Sequence, residues 1–391
     1  MMKKFNKNIF LFILVTLFLI TGLCSQGLAS HLFASTKKLY QNVVSGNKNA
    51  FQTFTKEVDS SSNQLRYHSR MLDITSVKDN LLGTRVMFED ETTVVKSDSG
   101  SLLGYLFTTP SSKEEIAGWT GPIKEVQAIA EANGAGFLYC EIPEKSAYEV
   151  LPPNYPAYSA QNQDIYLQAI LSSDIPTFIS SAMFKEQGLK GDDIFFKTDH
   201  HWTPKAGFFV HSGICKELKE RYGFEYNSQY TDLNNYNIKT YENWFLGSYG
   251  KKCGTYFTGS RVDDFDLITP KFETDFTEEI PVKNSIRNGS FEDTLLYKEY
   301  LAKDYYIFNN YITYSGGDFR LQKIINNKIE NGKKILVIRS SFGCVVTPFL
   351  ALHAKELHVI DTRDGDYPAG EKVNVEEYIK EIKPDYVIYL M

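Results

Sequence analysis

The stretch from Leu321 onward constrains the fold more than any other. Apolar runs at Ile335-Leu336-Val337-Ile338, Leu357-His358-Val359-Ile360 and Tyr386-Val387-Ile388-Tyr389-Leu390 read as buried strands. Helical spacing separates them at Phe342–Lys355 and Val373–Ile382, and Leu321–Ile329 is expected to be helical as well. Strand, helix, strand, helix, strand with short loops implies right-handed parallel crossovers, hence an α/β fold. In such sheets the chemistry lies beyond the carboxyl ends of the strands. Ser340 and Ser341 stand at such an end, where a helix start offers free backbone N–H groups and a positive dipole end. A serine at that place also serves as an ordinary N-cap.

The same rhythm begins earlier. Pro122–Asn133 has an apolar face of Ile123, Val126, Ile129 and Ala130. Gly136–Pro143 reads as a strand, Ile165–Leu171 as a short helix, Ile175–Ile179 as a strand and Lys205–Tyr222 as an amphipathic helix. Residues 83–109 have β-like runs around the turn Ser97-Asp98-Ser99-Gly100. Residues 31–80 read as a linker with helical pieces. The span 224–310 is a Tyr- and Asn-rich insertion within a domain covering 81–391.

Between strand and helix lies Lys197-Thr198-Asp199-His200-His201-Trp202-Thr203. An Asp and a His two residues apart share a side of extended backbone. The carboxylate can then hold one ring nitrogen while the other faces a nucleophile, and Trp202 can wall off the ring. A helix N-terminal turn with solvated histidines is the alternative. A serine hydroxyl needs such a base to act as a nucleophile at neutral pH. Asp263, Asp264 and Asp266 lack the spacing of a calcium loop and read as a solvated acidic turn.

Asp199-His200-His201-Trp202, with Ser341-Phe342-Gly343 far downstream, resembles the signature of the DHHW proteins. These are similar to the AlgJ/AlgX-type polysaccharide O-acetylation proteins with an SGNH-hydrolase-like domain. Pro143-Glu144-Lys145 also corresponds to a Pro followed by Lys in those proteins. The resemblance covers residues 80–391 and departs where Ser340 replaces the usual Asp. It implies a flavodoxin-like, three-layer α/β/α fold with a parallel sheet and a permuted motif order, the Asp-x-His pair preceding the serine. It implies Ser341 as nucleophile, His201 as base and Asp199 as its orienter, with His200 facing away or supporting the loop. Trp202, Gly247, Ser248 and Arg363 are the expected substrate or oxyanion contacts, with Gly247 or Ser248 giving a backbone N–H donor near the serine. No cofactor and no metal are expected.

Composition narrows the function. A net charge of −6 and a pI near 5.8 leave no basic field for nucleic acid. Aromatic residues at 14% suit carbohydrate stacking, above all in the insertion. Lys3, Lys4 and Lys7 precede an apolar run from Ile9 to Cys24, and small residues follow near Ala29. This reads as a cleaved signal peptide over 1–30, with an uncleaved anchor as the alternative, and places the protein outside the cytoplasm. Leu23 is too large for a lipobox before Cys24. Cys140, Cys215, Cys253 and Cys344 form no Cys-x-x-Cys pair, and the three in apolar runs read as small buried residues.

Three functions follow. The first is a serine-dependent carbohydrate O-acetyltransferase or acetylesterase, with a polysaccharide as substrate and a membrane-bound O-acyltransferase as acyl donor. The second is a non-catalytic polysaccharide-binding domain. The third, a metal-dependent phosphoesterase, would need further Asp ligands and no serine turn.

Overall fold

A computed structural model describes residue 38 and residues 68–89, 92–105, 109–259, 262–365 and 368–391. The expected signal segment lies outside the described residues. Among the latter, no helix is long and apolar enough to cross a membrane. The chain divides between Lys78 and Asp79 into two compact units, of which the second, 79–391, holds the elements below.

Strands β1 (Val86–Glu89), β2 (Thr92–Lys96) and β3 (Leu102–Tyr105) make an antiparallel meander. The main sheet uses β4 (Gly136–Cys140), β5 (Thr177–Phe178), β8 (Phe276–Ile280), β9 (Ser285–Gly289), β10 (Leu321–Asn326), β11 (Lys334–Arg339), β12 (Glu356–Ile360) and β13 (Tyr386–Leu390). Its order is β5-β4-β13-β11-β12-β10-β8-β9. The first five strands are parallel and the last three antiparallel, so the expected parallel sheet carries an antiparallel extension. Strands β6 (Tyr236–Phe245) and β7 (Asp263–Pro270) form a separate ribbon.

Helices α1 (Lys113–Gly118), α2 (Gly121–Ala132), α3 (Tyr158–Leu171), α4 (Pro204–Tyr222) and α5 (Val375–Ile382) surround the sheet. Strand alternation sorts the two faces. Ile335, Val337, Val359 and Ile388 pack with Phe208, Val210 and Ile214 of α4, whereas Leu336, Ile338 and Val387 pack with residues of α2, α3 and α5. This is the three-layer, SGNH-hydrolase-like α/β arrangement, with the motif order permuted as expected.

Three expectations need correction. Leu321–Asn326 is a strand: its burial alternates and it pairs with β12 and β8, because every second residue, not one helical stripe, meets the core. The helix expected over Phe342–Lys355 is instead a 3-10 turn over Ser341–Val345 and a short helix over Thr347–Leu350. Pro348, which lacks an N–H, sits at the restart. Finally, the 224–310 segment is not an appendage to the sheet. Its β8 and β9 extend the sheet, and Phe245, Phe257, Phe265, Phe276 and Phe291 are buried in the core.

Candidate active site

The loop 195–203 is folded back on itself. Phe195 and Trp202 form a bridge, Phe196 N–H donates to the His201 carbonyl, and Thr203 caps α4 through the Ala206 N–H. Three outside groups fix its course. The buried Lys145 ammonium donates to the carbonyls of Leu102, Phe196 and Asp199 at 2.6–2.8 Å and to that of Lys197 at 3.3 Å. Burial pulls its pKa down to about 8. The Asp263 carboxylate takes the N–H groups of Lys197 and Thr198 and the Thr198 hydroxyl. Asp263 is therefore a bracing residue rather than part of a solvated turn. Gly247 and Ser248 complete the set from the far end of the β6 strand.

The serine reaches the loop from the other half of the chain. Ser340 N–H donates to the Leu390 carbonyl, continuing the pairing of β11 with β13 and fixing the turn at the strand end. The indole N–H of Trp202 donates to the Phe342 carbonyl at 2.8 Å, so loop and serine turn are tied directly. Beneath the turn, buried Arg339 pairs with Asp318, which also takes Arg363 at 2.8 Å. A Cβ on Gly343 would overlap the Arg339 side chain.

These constraints bring together the three residues expected to react. Asp199 Oδ1 lies 2.6 Å from His201 Nδ1, and His201 Nε2 lies 2.7 Å from Ser341 Oγ. Asp199 and His201 are buried, while Ser341 is partly exposed. Burial alone would raise the Asp199 pKa, but the two imidazoles and the His201 N–H hold it well below the usual carboxylate range. The carboxylate is thus charged and can stabilise an imidazolium.

Other expected residues act differently. Gly247 N–H goes to Thr198 Oγ1 and Ser248 N–H to Asp199 Oδ2, at 2.8 and 2.6 Å. Neither points an amide at the serine: Ser248 orients the Asp199 carboxylate and Gly247 braces Thr198. Trp202 is fully buried and cannot meet a substrate. The ring contacts of His201 are instead Tyr311, stacked at 4.1 Å, and Phe342 at 5.0 Å. Arg363 is spent on Asp361 and Asp318, and it braces the serine turn. His200 does not turn away. Its ring lies 3.8 Å from that of His201, with Nδ1 3.3 Å from Ser248 Oγ, and burial lowers its pKa to about 4. The departure at Ser340 leaves a buried hydroxyl with no partner among the described residues.

A different pair of donors is free. No acceptor among the described residues takes the backbone N–H of Ser341 or Phe342. Both belong to the nucleophile turn, where an oxyanion would form.

A cavity of about 510 Å³ opens beside these groups, lined by His200, Ser248, Tyr249, Phe342, Ile142 and Ser159 among others. A larger cleft of about 710 Å³ is lined by Asp192, Asp193, Asp263, Asp264 and Asp266. Neither lining includes Asp199, His201 or Ser341, but the smaller cavity is lined by their chain neighbours His200 and Phe342 and by Ser248, and two carboxylates of the larger cleft are paired with Lys197 and Lys205, so we assign the site to the smaller cavity. Asp199, His200 and His201 also bring three ligand atoms within 4.8 Å of one another. Both Asp199 oxygens and both His201 nitrogens already have partners, which leaves His200 as the available donor.

Comparison with known proteins agrees with this anatomy. Residues 178–360 match the family model described as DHHW protein. Bacillus cereus PatB1, solved with a sulfonyl adduct, is similar at 20% identity, covering 78% of this chain and 94% of that one, with a TM-score of 0.60. A DHHW family protein from Eubacterium siraeum is similar at 19% identity, covering 78% and 92%, with a TM-score of 0.57. The O-acetyltransferase domain of Pseudomonas putida AlgJ is more distant, at 13% identity, 76% and 90% coverage and a TM-score of 0.43. No curated protein matches. The Asp-His-His-Trp loop and the serine turn both lie inside residues 178–360, the segment that matches the DHHW family model.

Proposed function

We propose that the protein is a serine-dependent O-acetyltransferase acting on a polysaccharide outside the cytoplasm. The observation that carries this reading is the unbroken chain from Asp199 through His201 to Ser341 Oγ, closed at 2.6 and 2.7 Å. In the first half-reaction His201 Nε2 takes the hydroxyl proton as Ser341 Oγ attacks the acetyl carbonyl carbon. The N–H groups of Ser341 and Phe342 receive the oxyanion. Collapse breaks the bond to the donor alcohol, which leaves with the proton from His201. In the second half a sugar hydroxyl gives its proton to His201, attacks the acetyl-serine, and departs as the acetyl ester while Ser341 recovers its proton. Asp199 stays ionised throughout and holds the imidazole.

The donor on this reading is an acyl group handed over by a membrane-bound O-acyltransferase, because acetyl-CoA is not available beyond the membrane. The apolar run from Ile9 to Cys24 supports that location. A sulfonyl fluoride or fluorophosphonate probe should label wild type but not S341A. Incubated with an activated acetyl ester and native oligosaccharides, wild type should give Ser341-dependent acetylated sugars by mass spectrometry. Hydrolysis without any transfer would make the protein an esterase, and absence of labelling would end the serine-enzyme reading.

A further inference from the structure

The proposed mechanism leaves one titratable group of the site unused. His200 lines the cavity together with Phe342, yet takes no part in the hydrogen bonds that join Asp199, His201 and Ser341. Ring contacts hold it in place: His201 at 3.8 Å, and Tyr249 and Phe342 each at 5.8 Å. Its Nδ1 is turned inward, 3.3 Å from Ser248 Oγ and 3.4 Å from Asp199 Oδ1. The charged carboxylate draws the ring proton to that nitrogen, and the resulting tautomer carries its lone pair on Nε2. Nε2 has no partner among the described residues, and 40% of the side chain is exposed. Burial lowers the pKa to about 4, so the ring is neutral at pH 7 and keeps that lone pair. Both nitrogens of His201, in contrast, are already engaged.

An acceptor hydroxyl that attacks the acetyl-serine must give its proton to His201. A hydroxyl on the neighbouring carbon is carried in beside it, next to a ring whose centre is 3.8 Å from that of the base. We propose that His200 is a specificity-determining residue that selects acceptors with hydroxyls on two adjacent carbons. Its Nε2 accepts a hydrogen bond from the second hydroxyl while the first attacks. The new ester bond forms at the first oxygen, whose proton passes through His201 to Ser341 Oγ as the acetyl-serine bond breaks. His200 gains no proton, and the second hydroxyl leaves intact. An alcohol with one hydroxyl cannot make this contact. The inference rests on the transferase reading, because it concerns the second half-reaction alone.

The test is a competition for the acetyl-enzyme. The full chain, with p-nitrophenyl acetate as donor, is given equal amounts of trans-cyclohexane-1,2-diol and trans-cyclohexane-1,4-diol. Gas chromatography separates the two monoacetates, and S341A supplies the background. Both diols carry the same number of hydroxyls, so the product ratio reads the position of the second one and is independent of total turnover. Wild type should favour the 1,2-diol about tenfold, the worth of one hydrogen bond. His200→Phe and His200→Ala remove the acceptor with and without a ring in its place, and both should bring the ratio to one or below. His200→Gln, whose side-chain carbonyl accepts, should restore part of the preference. A ratio near one in wild type, or a ratio unchanged in His200→Phe and His200→Ala, would overturn this inference and leave the transferase reading standing. Free acetate with neither monoacetate would end the transferase reading and this inference with it.

Discussion

The phenol ring of Tyr311 lies flat on the imidazole of His201, planes 18° apart, while its hydroxyl donates to the Phe342 carbonyl at 3.3 Å. One side chain thus touches His201 and the serine turn together. His201 is held between this ring, Phe342 and the Asp199 carboxylate, with its Nε2 2.7 Å from Ser341 Oγ.

The adjacent histidines should therefore differ sharply. His201→Ala should lower kcat/KM for p-nitrophenyl acetate by about 10³-fold or more, as loss of a triad base does. His200→Ala should cost no more than about tenfold, since its ring packs beside His201 and meets Ser248 but makes no hydrogen bond to Ser341. The reverse ranking would reassign the base.

Ser341→Ala should abolish labelling and turnover. Ser340→Ala removes a buried hydroxyl that has no partner, so its unfolding free energy should stay within about 1 kcal/mol of wild type and its activity should persist. Loss of labelling in Ser340→Ala but not in Ser341→Ala would mean that the register of the turn is wrong.

Gly247 is required by contact rather than by its backbone angle. Its φ is −72°, open to any residue, yet an added Cβ would overlap the Asp199 side chain. Gly247→Ala should push the carboxylate off His201 and lower kcat about 100-fold, with KM for a small ester little changed. A variant with wild-type kcat would show that Asp199 can move without consequence.

Lys145 gives a signed pH prediction. Its folded pKa is about 8 against 10.5 unperturbed. Below pH 8 both states carry the proton, and the burial penalty is fully present. Between pH 8 and 10.5 the unfolded chain binds more protons, so wild-type stability should rise relative to Lys145→Met. The slope should approach about 1.4 kcal/mol per pH unit. Denaturant unfolding of both proteins across that range measures it, and a difference independent of pH would contradict the buried ammonium.

Much of this anatomy was legible in the sequence. The runs at 335–338, 357–360 and 386–390 had to be buried strands, and the Asp199–His201 spacing with Ser341 at a strand end pointed to three side chains that lie within hydrogen-bond distance of one another. What escaped were partners set by tertiary packing. Asp263 binds Thr198 across 65 residues, and no local pattern separates it from an exposed acidic turn. Gly247 and Ser248 were expected to aim an amide near the serine, but their N–H groups go to Thr198 and Asp199, because which acceptor an amide finds depends on where the next segment lies. Leu321–Asn326 misled because Leu-Gln-Lys-Ile-Ile satisfies helical and strand spacing alike, and the neighbouring strands decide.

The hydrogen bond from Ser340 to the Leu390 carbonyl sets when the site can come into being. Strand β13 lies between β4 and β11, in the middle of the sheet. During synthesis the Asp-His-His-Trp loop emerges first and the serine some 140 residues later, and the bond that fixes the serine turn forms only once residue 390 has followed. The turn that carries Ser341 is thus held in place by a strand made about fifty residues after it.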